Sequence, residues 1–161
     1  TSSRWRAVKC MTPEAYGGTG RTRVPDPFTL EFYASTALAA GSSLRGILNS
    51  TDTGSAFEVP SGKTLKVLRA IGSVKNGATA GTYNDDLILR NVTDSTDTQV
   101  ATNTGTAAAE VYIHAEGTLD SPLATLAAGK RFAAGVRNRS GNPGAWDASY
   151  KHHVALVCVL E

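Results

Sequence analysis

Long apolar runs are missing from this chain. In 161 residues no stretch approaches the ~20 consecutive apolar residues of a membrane-spanning helix, which excludes a helical membrane protein. Aromatic residues are scarce at 7%, so a core must be built from small and β-branched side chains, which pack thin sheets better than long helices. Cysteine is nearly absent: Cys10 and Cys158 sit near opposite ends, too few for a disulfide scaffold or a paired-cysteine zinc site. They read as two reduced thiols of a cytosol-made protein rather than as a staple between the termini. Cys158, inside Val154-Ala155-Leu156-Val157-Cys158-Val159-Leu160, reads as a small buried hydrophobe. Thr1 to Arg6 carries no apolar block of the kind a signal peptide needs, so no export is expected.

Catalytic signatures are missing too. No Gly-x-Ser-x-Gly elbow supports a serine hydrolase, and no His-Glu-x-x-His supports a metalloprotease. Asp52-Thr53-Gly54-Ser55 reproduces the Asp-Thr-Gly tripeptide of aspartic proteases. That chemistry needs two carboxylates sharing a proton at the end of an apolar strand, whereas here polar Asn49-Ser50-Thr51 comes before it, so a plain turn is the better reading. Gly17-Gly18-Thr19-Gly20-Arg21-Thr22 lacks the Gly-Lys-Ser/Thr ending of a phosphate loop. His152 and His153 are adjacent, and adjacent strand residues point to opposite faces. They and His114 therefore read as ordinary strand or interface histidines. The pair Asp85-Asp86 matches no calcium-loop spacing and reads as a solvated turn. The expectation is a non-enzymatic protein with no cofactor and no metal.

What the chain does have is a phrase that occurs twice. Phe57-Glu58-Val59-Pro60-Ser61-Gly62-Lys63-Thr64-Leu65 is echoed 67 positions later by Leu126-Ala127-Ala128-Gly129-Lys130-Arg131-Phe132. Each phrase has an apolar lead-in, a Gly-Lys turn and then alternating apolar residues. Glycine supplies the turn's positive φ, and alternation puts every second side chain on one sheet face. Two such corners suggest a two-sheet sandwich. Further strands are expected at Phe28–Tyr33, Thr64–Val74 with a bulge at Leu68-Arg69, Leu87–Val92, Val111–His114, Phe132–Val136 and His153–Leu160. Lys75 to Asp85 reads as a long connection and Thr93–Thr106 as a surface loop with one short edge strand. Ser35–Leu48 is ambiguous between loop and short helix. About eight short strands between turn-rich loops describe an all-β sandwich or jelly roll. A single such domain is expected over residues 28–161.

Charge is small overall, +2, but it is unevenly placed. Arg4, Arg6, Lys9, Arg21 and Arg23 face a single acid, Glu14, in the first 23 residues. Gly17–Gly20 and Pro13, Pro25 and Pro27 keep residues 1–27 out of regular structure, leaving an extended basic arm on a near-neutral body. Five dispersed cations are too dilute for a nucleic-acid partner; an acidic protein surface fits better. Arg4, Trp5, Arg6, Lys9, Arg21 and Arg23 are the expected partner-binding residues, since Arg and Trp dominate interface energetics. Asn142, Trp146 and Asp147 form the one loop patch able to stack on a ligand such as a sugar, although a loop tryptophan more often plugs a sandwich end or a subunit contact.

The turn phrases Val59-Pro60-Ser61-Gly62-Lys63 and Leu126-Ala127-Ala128-Gly129-Lys130, with the Thr/Ala/Gly-rich strands after them, resemble the β-sandwich proteins of tailed-bacteriophage virions. The nearest in style are capsid decoration (cement) proteins and head-fibre domains. The resemblance implies a virion protein, made in the host cytoplasm, that clamps neighbouring capsid subunits through its arm. Its partner would be the major capsid protein or another virion protein, and the chain would form homo-oligomers, with a trimer favoured. A receptor- or glycan-binding fibre module is the alternative it implies.

Overall fold

The computed structural model describes residues 25–35 and 56–161. The basic residues of the arm, Cys10, the ambiguous Ser35–Leu48 stretch beyond Ser35, and Asp52-Thr53-Gly54 lie outside the described residues. Within them the chain is all-β, with nine strands. These are β1 (Phe28–Ser35), β2 (Phe57–Glu58), β3 (Leu65–Lys75), β4 (Thr82–Asn91), β5 (Thr96–Thr106), β6 (Glu110–Glu116), β7 (Ala124–Leu126), β8 (Arg131–Asn138) and β9 (Lys151–Leu160).

The strands form two antiparallel sheets. The front sheet runs β1-β9-β3-β6, with β7 also paired to β3, and the back sheet runs β2-β8-β4-β5. The pairings are nested. β4 pairs with β5, β3 with β6, β2 with β8 and β1 with β9, each pair enclosing the one before it in sequence. The body is therefore one long folded hairpin wrapped into two layers. Alternation makes the core: Leu65, Val67, Ala70, Val74, Ile113, Val154, Leu156 and Cys158 from the front meet Leu87, Leu89, Phe132, Ala134 and Val136 from the back. At Gly72 an added Cβ would stand only 3.2 Å from both Leu87 and Val136 of the opposite sheet. The missing side chain lets the layers close there.

The two echoed phrases are structural partners. Gly62 and Gly129 have φ of +72° and +77°. In each turn the lysine amide closes back on a carbonyl, Lys63 N to Pro60 O at 3.1 Å and Lys130 N to Ala127 O at 3.2 Å. The corners also bond each other, Val59 N to Lys130 O at 2.9 Å and Gly129 N to Val59 O at 2.8 Å. The bulge falls where alternation slips, with a register shift between Val67 and Arg69.

Two expectations need correction. Thr93–Thr106 is not a loop with a short strand: β5 is a full-length edge strand of 11 residues. The Lys75–Asp85 connection is shorter than expected, because β4 starts at Thr82 and carries Asp85 and Asp86 in its interior.

Candidate interaction surface and two buried aspartates

The outward side of the front sheet is built by the odd residues of β1 and by Arg69, Ile71, Ser73 and Lys75, the odd residues of β3 after its bulge, with the facing residues of β9 and β6. Cross-strand register sets them in rows: Tyr33, His153, Ser73 and Tyr112 in one, then Glu31, Ala155, Ile71 and His114, then Thr29, Val157, Arg69 and Glu116. Among the described residues, the large exposed hydrophobic side chains are Tyr33 at 44%, Ile71 at 36% and Tyr112 at 60%, and all three stand here. Grouped exposure of this kind marks an interaction surface, whereas scattered single residues would not. The Tyr33 ring stacks on the His153 imidazole at 4.7 Å, with Lys151 Nζ 4.3 Å from its centroid. His153 Nε2 lies 3.3 Å from Glu31. On the opposite flank the Tyr112 hydroxyl donates to Glu110 at 3.3 Å, and that carboxylate's charge raises the phenol above its ordinary range. Arg69 pairs with Glu116 and Lys75 with Asp147, at 3.4 and 3.2 Å.

The loop patch expected at Asn142, Trp146 and Asp147 is not a ligand platform. Trp146 is 2% exposed and packs inside the end of the sandwich, tilted against His152 at 4.9 Å. Its Nε1 donates to Asp85 Oδ1 at 3.0 Å. Asn142 is buried and pins the loop to β4: it accepts from Asn84 N at 2.6 Å and donates to Asn84 O at 2.9 Å. It also donates to Asn138 Oδ1 at 2.6 Å. Asp147 caps the turn that follows. It accepts from the Ser149 hydroxyl and amide, which with Lys75 bring its carboxyl down to about 2. Trp146 and Asn142 form a plug, which is what an amphipathic ring with a satisfied N–H does when buried.

The solvated turn expected at Asp85-Asp86 is also corrected. Both side chains are wholly buried, on opposite faces of β4. Asp85 points into the plug, where Oδ1 receives Trp146 and a longer 3.4 Å contact from Asn142, while Oδ2 has no hydrogen-bond partner. Burial pushes this carboxyl up to about 6, partly opposed by the Trp146 bond. Asp86 points out of the back sheet into a different setting. Arg137 Nε lies 2.9 Å and Arg139 Nε 3.2 Å from its Oδ2, Arg139 Nη2 lies 2.6 Å from Oδ1, and the Thr102 hydroxyl donates to Oδ1 at 2.5 Å. Burial alone would raise its carboxyl, but the bonds from Arg139, Thr102 and Arg137 outweigh it and hold it below the ordinary range.

His152 is buried inside the sandwich, and His153 is half-buried on the outer face. No group of three His, Cys, Asp or Glu able to hold a metal exists among the described residues. Cys158 is a free thiol in the core, pushed up to about 12 by burial and so chemically inert. The tyrosine face went unread in the sequence, although Val111-Tyr112-Ile113-His114 alternates and sends Tyr112 and His114 outward. The Asp86 network had its signal in Arg137-x-Arg139, two cations on one face of a strand. No protein-family model matches the chain, and no curated protein matches it.

Proposed function

We propose that this chain is a non-enzymatic virion structural protein that decorates or cements a bacteriophage capsid, with residues 1–27 clamping neighbouring capsid subunits. The observation that carries the reading is the nested strand order. With β7 set aside, the eight remaining strands pair first with last and inward from there, an order that supports reading the sandwich as a jelly roll. Viral capsid and lectin domains share that architecture. Architecture alone does not select a role. The choice of assembly rests on the basic arm and on an outer face rich in tyrosine, a residue type enriched at protein interfaces. The fibre-module alternative loses Trp146 as its sugar-stacking ring, which leaves Tyr112 and Tyr33 as the exposed aromatics among the described residues.

The test is co-sedimentation with expanded capsids of the source phage, comparing the full chain with a version beginning at Val24. Binding by the full chain and its loss on truncation are the expected result. Undiminished binding by the truncated protein removes the clamp, and no binding by either removes the capsid as partner.

A further inference from the structure

We infer that the 139–150 loop is a latch that ionisation of Asp85 releases, freeing Trp146 and Asn142 from the end of the sandwich. This stands independently of the capsid reading, because it rests on the plug and not on the arm.

The loop is held by two side chains that share one acceptor. Between Arg139 and Tyr150 only Asn142 and Trp146 are buried. Both reach Asp85 Oδ1, the indole at 3.0 Å and the amide at 3.4 Å, while Oδ2 is buried with no hydrogen-bond partner. A neutral carboxyl suits that setting. A carboxylate does not, because a buried charge needs donors on both oxygens or a cation bonded to it.

The elements packed around Asp85 bring it no such partner. On β4 its neighbour Asp86 is a like charge, and the Tyr83 hydroxyl is given to Thr79 O. Arg137 of β8 and Arg139 just beyond it are engaged with Asp86 on the far side of the sheet. On β5 the register neighbour is the neutral Asn103. Lys75 of β3 pairs with Asp147, Glu110 of β6 faces outward with Tyr112, and Tyr150 bonds Ser73. From β9, His152 packs on the indole.

The loop yields before the strand does. β4 is paired along its length to β5 and to β8, and the arginine fork holds Asp86. The loop, by contrast, lies flat on the 76–81 connection. A Cβ added at Gly77 would stand 1.9 Å from Ala145 O, so backbone rests on backbone there with no side chain to disengage. Apart from its two buried side chains, the loop is tied down by Gly144 O, which accepts from Asn138, and by Asp147, which meets Lys75.

Burial holds the closed Asp85 carboxyl up at about 6, whereas in an opened loop water returns it to the ordinary 3.8. Protons therefore keep the latch shut. Opening is rarest below 3.8, grows as pH rises and levels off above 6. Between pH 4 and pH 8 the opening equilibrium should rise about fiftyfold. Asp147, brought down to about 2, stays ionised across this window and adds nothing. A histidine ordinarily changes charge within it, so His152 is tested separately.

The experiment is hydrogen exchange of the full chain, read by mass spectrometry from pH 4 to pH 8 and corrected for the intrinsic effect of pH. Amides of 139–150 should be less protected than those of β3 and β9 at every pH, as local opening requires. Their protection should fall about fiftyfold across the range. Asp85→Asn, which keeps the shape and the Oδ1 acceptor, should leave protection flat, and His152→Gln should leave the fall in place. Trp146→Phe removes the donor that lowers the Asp85 carboxyl, so the fall should level off at a higher pH. Flat protection in the wild-type protein, a fall that survives Asp85→Asn or disappears in His152→Gln, or a levelling-off that Trp146→Phe leaves unmoved would overturn the latch. Loop amides that exchange only together with the strands would do the same. Shell binding can survive any of these outcomes, so failure here and failure of the capsid reading are separate results.

Discussion

Asp85 and Asp86 are consecutive residues of one strand, equally buried, and their carboxyl groups are driven in opposite directions. Asp85 enters a pocket of neutral donors, an indole and an amide, that leaves one oxygen without a partner. Asp86 enters a fork of two guanidinium groups and a hydroxyl that occupies both oxygens. Burial raises both carboxyls. What differs is the number and charge of the donors that offset it. The inner site therefore works best with its carboxyl protonated, the outer with its carboxyl ionised.

The contrast can be broken most forcefully from the inner side. Trp146→Ala removes the plug's main volume together with the only strong donor to Asp85, and should cost about 4 kcal/mol in urea unfolding. On the outer side, Asp86→Ala leaves two half-buried arginines facing each other without an acceptor. It should cost about 3 kcal/mol, and Arg139→Gln, which removes only one of the two guanidinium partners, about 1 kcal/mol. A ranking in which Arg139→Gln equals Asp86→Ala would mean that the carboxylate is not the hub of that network.

Titration sharpens the comparison. A carboxyl raised from 3.8 to about 6 on folding contributes stability that is complete below 3.8 and is lost as pH rises through 6. Wild-type protein should therefore lose up to about 3 kcal/mol between pH 4 and pH 7 from this group, and Asp85→Asn should flatten that slope. Asp86 acts with the opposite sign: its contribution is present above the ordinary carboxylate range and is lost as pH falls through its lowered native value. An Asp86→Asn protein should show a weaker acid limb below pH 4, the smallest of these effects. Identical pH profiles for the two variants would erase the distinction.

Much of the frame was legible in the sequence because alternation reports a half-buried strand. Phe28–Tyr33, Val111–His114 and the residues after each Gly-Lys corner all declared themselves that way. β5 did not. It is an edge strand whose Thr, Asp, Asn and Gln side chains are largely exposed on both faces, so it has no inside to alternate with. Asp85-Asp86 misled for a different reason. A charged pair reads as solvated unless its partners are known, and here the two arginines and the indole that meet it, Arg137, Arg139 and Trp146, lie more than 50 residues away. Pattern within a window carries the layer a residue occupies, but it does not carry what waits for that residue across the sheet.

The nested pairing also sets an order of assembly for the chain itself. The innermost pair, β4 with β5, closes over only Val92 to Ser95, while the outermost, β1 with β9, closes over residues 36–150. Loop-closure entropy grows by about 0.6 kcal/mol per doubling of length, so the outermost closure costs about 3 kcal/mol more than the innermost if made first. The cheapest route zips outward from β4–β5, each pair shortening the effective loop of the next, and β1 is laid down last. β1 carries Tyr33 and leads directly out of the arm, so the edge of the tyrosine face is completed only when the rest of the sandwich is in place. Until then the outer face of the front sheet lacks its Tyr33 flank.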